Sequence, residues 1–448
     1  MKNRFFQFLF KPVDASTLGL FRIIFGLVLI YQVLFYMRID YTYQFMSGPE
    51  ILFSYPGLAF LQPLPEPLLK GMQIGLLLAA ICITLGLFHR LAAGYFTIVF
   101  SYFTFIDKTL YNNHLYLFAL LVFLMIFLQA NQRYSLLRKQ QNYTIPQWQL
   151  RILQFVIIVV YFYGGVAKLN SDWLSGKLPA ILVGGALQDP PSQLLVGFIT
   201  YGGLLFDLSI GFLLLKKSTR LLGIVLLLVF NLANGFFLFD DIGVFPIFMI
   251  GSTILFLDPG KTSRFIRSIF YKKEKEKRRV KKKKRKTPLQ VSGQWDLKLT
   301  FTAVLVMLFV GFHIVFPLRH YWLTYNPEWT GIARNFSWRM KMQHKEVLDF
   351  KMSIQEGREG APKNVDYASF MSKNQLDHLL DDPRNIVQLA QYLDREGLKR
   401  NMNDPVVKAT VEVSFNGRPA QLMIDPNVDL TSVSLMRNKR HIWLKDLQ

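Results

Sequence analysis

Long apolar stretches separated by short polar ones fill the first 317 residues, and the pattern then changes. Nine runs read as membrane-spanning helices: 16–37, 68–88, 91–107, 112–129, 149–168, 194–215, 219–239, 242–257 and 297–317. An apolar helix of about 20 residues covers the ~30 Å hydrocarbon core, and a helix satisfies its own backbone hydrogen bonds where water is absent. Beyond the ninth run the chain is charged and its apolar positions come in short alternating sets. Val407-Val-Lys-Ala-Thr-Val-Glu-Val-Ser-Phe415 has the period of a half-buried strand. Asn416-Gly417 supplies a two-residue turn into Gln421-Leu-Met-Ile424, and Asp377 to Leu398 reads as one or two amphipathic helices. The pattern predicts a polytopic α-helical membrane protein of about nine transmembrane helices with a C-terminal extracytoplasmic α+β domain built on a β-sandwich or sheet core. The divisions are 1–260 for spans one to eight, 261–293 for a basic cytoplasmic linker, 294–318 for the ninth helix and 319–448 for the extracytoplasmic domain.

Composition agrees. Of 448 residues 51% are hydrophobic, 40 are phenylalanine, and the mean hydropathy is +0.25. The net charge of +22 changes the picture only through its location. Residues 261–286 hold 15 Lys/Arg against two Glu, and the core Lys277-Arg-Arg-Val-Lys-Lys-Lys-Lys-Arg-Lys286 has no aromatics interleaved to stack on bases. This is a loop facing anionic lipid rather than a nucleic-acid site. Placed inside, it fixes the topology by counting crossings: N-terminus cytoplasmic, with His89-Arg90, Arg133 to Lys139 and Lys216-Lys217-Ser-Thr-Arg220 on the same side. Loops 39–67, 169–193 and 240–241, and the C-terminal domain, fall outside. Met1 to Asp14 carries no cleavable signal pattern. The lone Cys82 sits in an apolar run, so no intrachain disulfide forms and packing is its expected role.

Polar residues inside apolar runs are costly and mark partners or cavities. Arg22 in the first span and Asp207 in the sixth are both assigned to the inner half, where they are expected to form a structural ion pair. The remaining polar groups end at the outer face: His114 in Tyr111-Asn-Asn-His-Leu-Tyr116, Lys168 at the end of the fifth span, Asn231 and Asn234 on the seventh, and His320 and Trp329 after the ninth. Each alone has a plain structural reading, as a snorkelling lysine, a helix-end histidine or interhelical hydrogen-bond glue. Together they point to one site. Gly164 and Gly165 lie on the helical face of Lys168 and leave room beside the amine for a flat ring, or for close helix packing. The apolar surroundings from Tyr161 to Val166 favour a neutral amine, which can act as a base. No His-Glu-x-x-His, clustered Cys/His, G-x-S-x-G, phosphate loop or dinucleotide fingerprint is present, so no metal is expected.

Six blocks along the chain resemble the vitamin K-dependent gamma-carboxylases and the wider group built on the horizontally transferred transmembrane domain. They are Leu18-Gly-Leu-Phe-Arg-Ile-Ile-Phe-Gly26, Asp107-Lys-Thr-Leu-Tyr-Asn-Asn-His114, Val166-Ala-Lys-Leu-Asn-Ser-Asp-Trp173, Gly203-Leu-Leu-Phe-Asp-Leu-Ser-Ile-Gly211, Phe316-Pro-Leu-Arg-His320 and Asn335-Phe-Ser-Trp-Arg-Met340. The resemblance implies an enzyme that oxidises reduced vitamin K (the hydroquinone of phylloquinone or a menaquinone) with O₂ to the epoxide. The strong base so generated takes the γ-proton of a protein glutamate, and CO₂ adds to the carbanion. It further implies Lys168 as the base acting on the hydroquinone and His114 as a hydrogen-bond donor to the oxygen intermediate. Asn113, Asn231, Asn234 and His320 would complete the pocket. Trp329, Phe336, Trp338 and Arg339 fall in the region associated with the glutamate substrate. The partners implied are the lipid bilayer and a glutamate-containing protein or peptide.

The chain departs from the family in places. The usual His-x-x-Asn of the seventh span is Asn231-Leu-Ala-Asn234 here, which hydrogen-bonds but does not titrate. The segment from Gly235 to Ile242 is about two residues longer than the family's, while the chain is shorter than animal carboxylases and lacks their paired cysteines. A bacterial source fits that shortness. Two alternatives stay open: a vitamin K or menaquinol epoxidase without protein carboxylation, and a non-catalytic transporter or receptor on the same scaffold.

Overall fold

The computed structural model describes residues 2–137, 143–238, 242–270, 297–323, 325–434 and 442–448. The basic core 277–286, Lys139, and Asp240 and Asp241 lie outside the described residues.

The protein is mostly helical, and each of the nine apolar runs forms helix. Ser16–Arg38, Glu66–Leu85, Trp148–Ala167, Gln193–Leu215 and Leu297–Trp322 are long and apolar enough to cross a membrane. Asn113–Phe127, Arg220–Phe236, Phe245–Phe256 and His89–Phe105 are shorter. Phe21, Phe25, Phe118 and Phe248 knit the first, fourth and eighth runs together, with ring centroids 5.1–6.3 Å apart. Three helices carry no clear sequence signal. Lys2–Phe10 and Pro259–Phe270 flank the bundle, and Lys177–Leu187 sits where a loop is expected, its apolar run being too short to read as a span.

Trp148–Ala167 and Gly203–Leu215 pack antiparallel at close range. A Cβ on Gly165 would lie 2.8 Å from the Leu208 side chain and 3.0 Å from its backbone nitrogen, and one on Gly211 would lie 2.5 Å from Ile158. Small residues let the two backbones approach, the arrangement favoured between helices in lipid. Of the two roles open to the glycines beside Lys168, Gly165 thus serves packing. Gly165→Val is expected to lower the melting temperature of the purified protein, at a cost of about 1–3 kcal/mol from overpacking. An unchanged melting temperature would show that the helices separate freely.

Arg22 and Asp207 do not pair. Arg22 is fully buried at the opposite end of the bundle, where it donates to the carbonyls of Ile83 (2.9 Å), Thr84 (2.8 Å) and Tyr134 (2.5 Å), with Arg133 O at 3.5 Å. Asp207 belongs with Lys168 instead. The expected pair failed on depth. The sixth run begins well beyond the level of Lys168, so the turns Gln193–Gly197 and Phe198–Gly202 precede the level at which Gly203 meets the lysine amine. Asp207 therefore lies nearer the Lys168 end than a centred span would place it.

The C-terminal domain holds one four-stranded antiparallel sheet and no second sheet among the described residues. With β1 (Pro12–Asp14) and β2 (Thr144–Pro146) paired in the bundle, its strands are β3 (Lys345–Glu356), β4 (Lys363–Asn364), β5 (Pro405–Phe415) and β6 (Gln421–Leu422), in the order β4-β3-β5-β6. Val407, Ala409, Val411, Val413 and Phe415 are buried, as alternation requires, beside Ile386, Val387, Leu389 and Ala390 of the helix Arg384–Lys399. Asn416 and Gly417 both have positive φ, 51° and 74°, and the Arg418 amide donates to Phe415 O (3.1 Å), the geometry of a primed turn.

This domain sits on the bundle loops that the charge pattern groups on one face. Gln375 donates to Ile51 O and to Asp107 Oδ2 (2.7 Å each), and Lys108 pairs with Asp382 (3.1 Å). Arg418 grips both oxygens of Asp172 at 2.6 and 2.8 Å. The domain thereby roofs the end of the bundle where Lys168 lies.

Candidate active site

A cavity of about 450 Å³ opens beneath that roof, lined from both parts of the chain. Lys168 caps the C-terminal end of Trp148–Ala167 and is 8% exposed. Its Nζ lies 2.6 Å from Asp207 Oδ2 and 4.8 Å from the centroid of the Trp173 ring. Gly164 faces the cavity, where an added Cβ would stand 3.3 Å from Asp207 Oδ2. So the lysine is held by a carboxylate, and the purely apolar setting read from the sequence is corrected.

His114, Asn113, Asn231, Asn234 and Arg339 line the same cavity. His114 stands in the first turn of Asn113–Phe127, its amide capped by Asn112 Oδ1 (3.2 Å) and its ring edge-on to Phe118. Asn113 Oδ1 accepts from Tyr111 Oη (3.0 Å). Asn231 spends its amide group inside the protein, donating to Tyr161 Oη and to Leu227 O at 2.9 Å each. Phe230, Ile242, Phe245, Leu182 and Val183 supply apolar wall.

Four sequence candidates lie elsewhere. His320 lines a second, polar chamber of about 290 Å³. Its Nε2 accepts from Arg339 Nη1 (3.0 Å), so its Nδ1 carries the proton donated to Pro317 O (2.9 Å). Arg339 also pairs with Glu328 and borders both chambers. Trp329 is core of the C-terminal domain, edge-on to Phe415, with Nε1 bonded to Lys445 O (2.8 Å). Phe336 fills an aromatic box of Tyr55, Phe105, Tyr111 and Tyr116, and Trp338 lies against Tyr116. The reason is backbone shape. Ala333, Phe336, Trp338 and Lys341 all have φ between 54° and 62°, a conformation costly for bulky residues. This coiled path turns the aromatic side chains into packing and sends Arg334, Asn335, Arg339 and Lys341 to the cavity.

Sequence reasoning missed the roof. Asp381 and Asp382 line the cavity from the C-terminal domain. Burial alone would raise Asp382, but Lys108 and Arg384 hold it well below the carboxylate range; Asp381 is likewise held down by Arg334 and His378 against its burial. Lys345 donates to Trp329 O (3.1 Å) and Leu380 O (2.7 Å), and burial pushes its ammonium down to about 7 from 10.5. The unfolded chain then binds the extra proton between those values, so domain stability should rise as pH goes from about 7 to 10.5. Hydrogen exchange of the β5 amides, corrected for intrinsic rates, should show this slope, and Lys345→Met should flatten it. A slope unchanged in the variant would assign it to another group.

Comparison with known families agrees with this two-part construction. The HTTM domain matches residues 10–260, and the lumenal domain of vitamin K-dependent gamma-carboxylase matches residues 298–448. The chain belongs to the vitamin K-dependent gamma-carboxylase family. No solved structure matches it. In this gamma-carboxylase family member, the HTTM part supplies Lys168, Asp207, His114, Asn231 and Asn234 to the cavity, and the lumenal-domain part supplies Arg339, Asp381 and Asp382.

Proposed function

We propose that the protein is a membrane enzyme that couples oxidation of reduced vitamin K by O₂ to carboxylation of glutamate in a protein or peptide. One observation carries the reading: a cavity of about 450 Å³ is lined by both the apolar bundle and the lumenal domain, with a buried amine at its bundle end. The residues fit a flat hydroquinone. Phe230, Phe245, Leu182 and Val183 accept an apolar ring, and Lys168 with Asp207 meets a hydroxyl. When bound, the hydroquinone supplies, through its reaction with O₂, a base stronger than any side chain. Lys168 and Asp207 manage the first proton, and His114 stands where it can hydrogen-bond developing negative charge. The low-dielectric wall keeps water from the base. Arg339, fixed by Glu328 and His320, offers a cation for a substrate carboxylate.

Purified protein supplied with reduced vitamin K, O₂, labelled bicarbonate and a glutamate peptide should yield epoxide and labelled peptide. Neither product, beside a working family enzyme as control, would end this reading. Asn231 favours a second one. Its amide is committed to Tyr161 and Leu227, at a position where the family resemblance implies a histidine, and an amide cannot carry a proton on and off, so epoxidation without carboxylation is the alternative. Epoxide without labelled peptide selects it.

A further inference from the structure

We propose that Asp207 and Lys168 work as one dyad, in which the carboxylate, and not the amine alone, takes up the proton released by the hydroquinone. The inference rests on the functional reading above. Four observations carry it. Asp207 lies on the cavity wall, 4% exposed. Its Oδ2 is 2.6 Å from Lys168 Nζ, and Lys168 is its sole hydrogen-bond partner among the described residues. Its Oδ1 accepts no hydrogen bond there. Gly164 leaves the space a side chain would take beside the carboxylate. Other titratable groups line this cavity from several elements: Tyr161 on the helix of Lys168, His114 on Asn113–Phe127 with Lys108 and Tyr111 before it, Arg334, Arg339 and Lys341 on the segment after the last span, and Asp377, His378, Asp381 and Asp382 on the C-terminal domain. Of these, Arg339 is paired with Glu328, and Tyr161 Oη accepts from Asn231.

Proton counting gives the mechanism. An amine and a carboxylate in contact hold one proton between them, as ammonium with carboxylate or as amine with carboxylic acid. Breaking a hydroquinone O–H bond leaves its electron pair on the oxygen and adds one proton to the dyad. Either starting form ends as ammonium with carboxylic acid, and the ammonium faces the new oxyanion. No other reactant is needed for this step. A lone lysine beside a structural carboxylate would instead have to lose its proton to water first, out of a charge pair that holds it.

The two schemes move pH dependence in opposite directions when Asp207→Asn removes the second proton site. A carboxylate beside an ammonium accepts a proton only at lower pH than an isolated amine does, and an amine beside a carboxylate releases one only at higher pH. If the dyad is the base, the acid limb of epoxide formation in Asp207→Asn moves to higher pH by at least one unit, with activity at neutral pH down about tenfold or more. If lysine alone is the base, the limb moves to lower pH and neutral activity rises. If neither Lys168 nor Asp207 supplies the base, the limb stays. Either of these last two results overturns the dyad. Amine-selective labelling of Lys168, without hydroquinone, adds a readout independent of turnover. At one fixed pH it should run faster in Asp207→Asn than in the unaltered protein, and equal rates would show that the carboxylate does not hold the amine. Should the unaltered protein form no epoxide, the functional reading fails and the base role goes with it, while labelling still reports the pairing.

Discussion

Lys168→Met is expected to lower epoxide formation from reduced vitamin K by at least 10²–10⁴-fold, about what a lost acid–base group costs. The side chain sits at the meeting point of an apolar cavity and a buried carboxylate, and no second amine lies in contact with Asp207 among the described residues. Loss of activity alone would be ambiguous, because the variant strands Asp207 without a counter-charge. Breaking a buried pair by removing one partner costs about 3–5 kcal/mol. The double variant Lys168→Met/Asp207→Asn removes the stranded charge. It should recover most of the melting temperature lost by the single variant and none of the activity. Chromatography of epoxide beside a thermal melt of the same preparation makes the comparison. Recovery of activity with stability would show that Lys168 serves only to neutralise Asp207.

Arg22→Met is expected to have the largest effect on stability and to act far from the cavity. The guanidinium donates to carbonyls at the end of Glu66–Leu85 and in the turn around Arg133 and Tyr134, so it ties three segments of the bundle with one buried group. Methionine fills similar volume and donates nothing. Each buried carbonyl left without a donor costs about 1–3 kcal/mol. The loss should therefore amount to several kcal/mol, seen as a sharp fall in folded protein recovered by size-exclusion chromatography. Arg22→Lys should restore it only in part, since an ammonium cannot span the same set of carbonyls in one plane. A variant that folds and melts normally would mean that the carbonyls find other donors.

Much of this was legible in the chain. Helices appear where the apolar runs fall, because hydrocarbon permits little else for an isolated segment. The strand Pro405–Phe415 follows the two-residue alternation, and the Asn416-Gly417 turn follows from two residues tolerant of positive φ. The gathering of Lys168, His114, Asn113, Asn231 and Asn234 into one cavity was legible as well, since crossings alternate sides and each residue stands near one end of its run.

Other features had no local signal. Which cation Asp207 meets depends on how far the sixth helix extends past its neighbours, and hydropathy does not fix that offset. Whether an aromatic lines a cavity or fills a core depends on backbone torsions between Ala333 and Lys341, where left-handed residues other than glycine are held only by the surrounding packing. The roof formed by Asp381 and Asp382 is assembled across more than 200 residues, through contacts such as Lys108 with Asp382. The sequence by itself determined the bundle, the strand alternation and the polar groups available at one face, because these follow from local periodicity and from the cost of burying charge. Only the tertiary structure decided which of those groups touch, since partners are chosen by helix offset and by the coiled path of one segment, neither of which is written in any single stretch of chain.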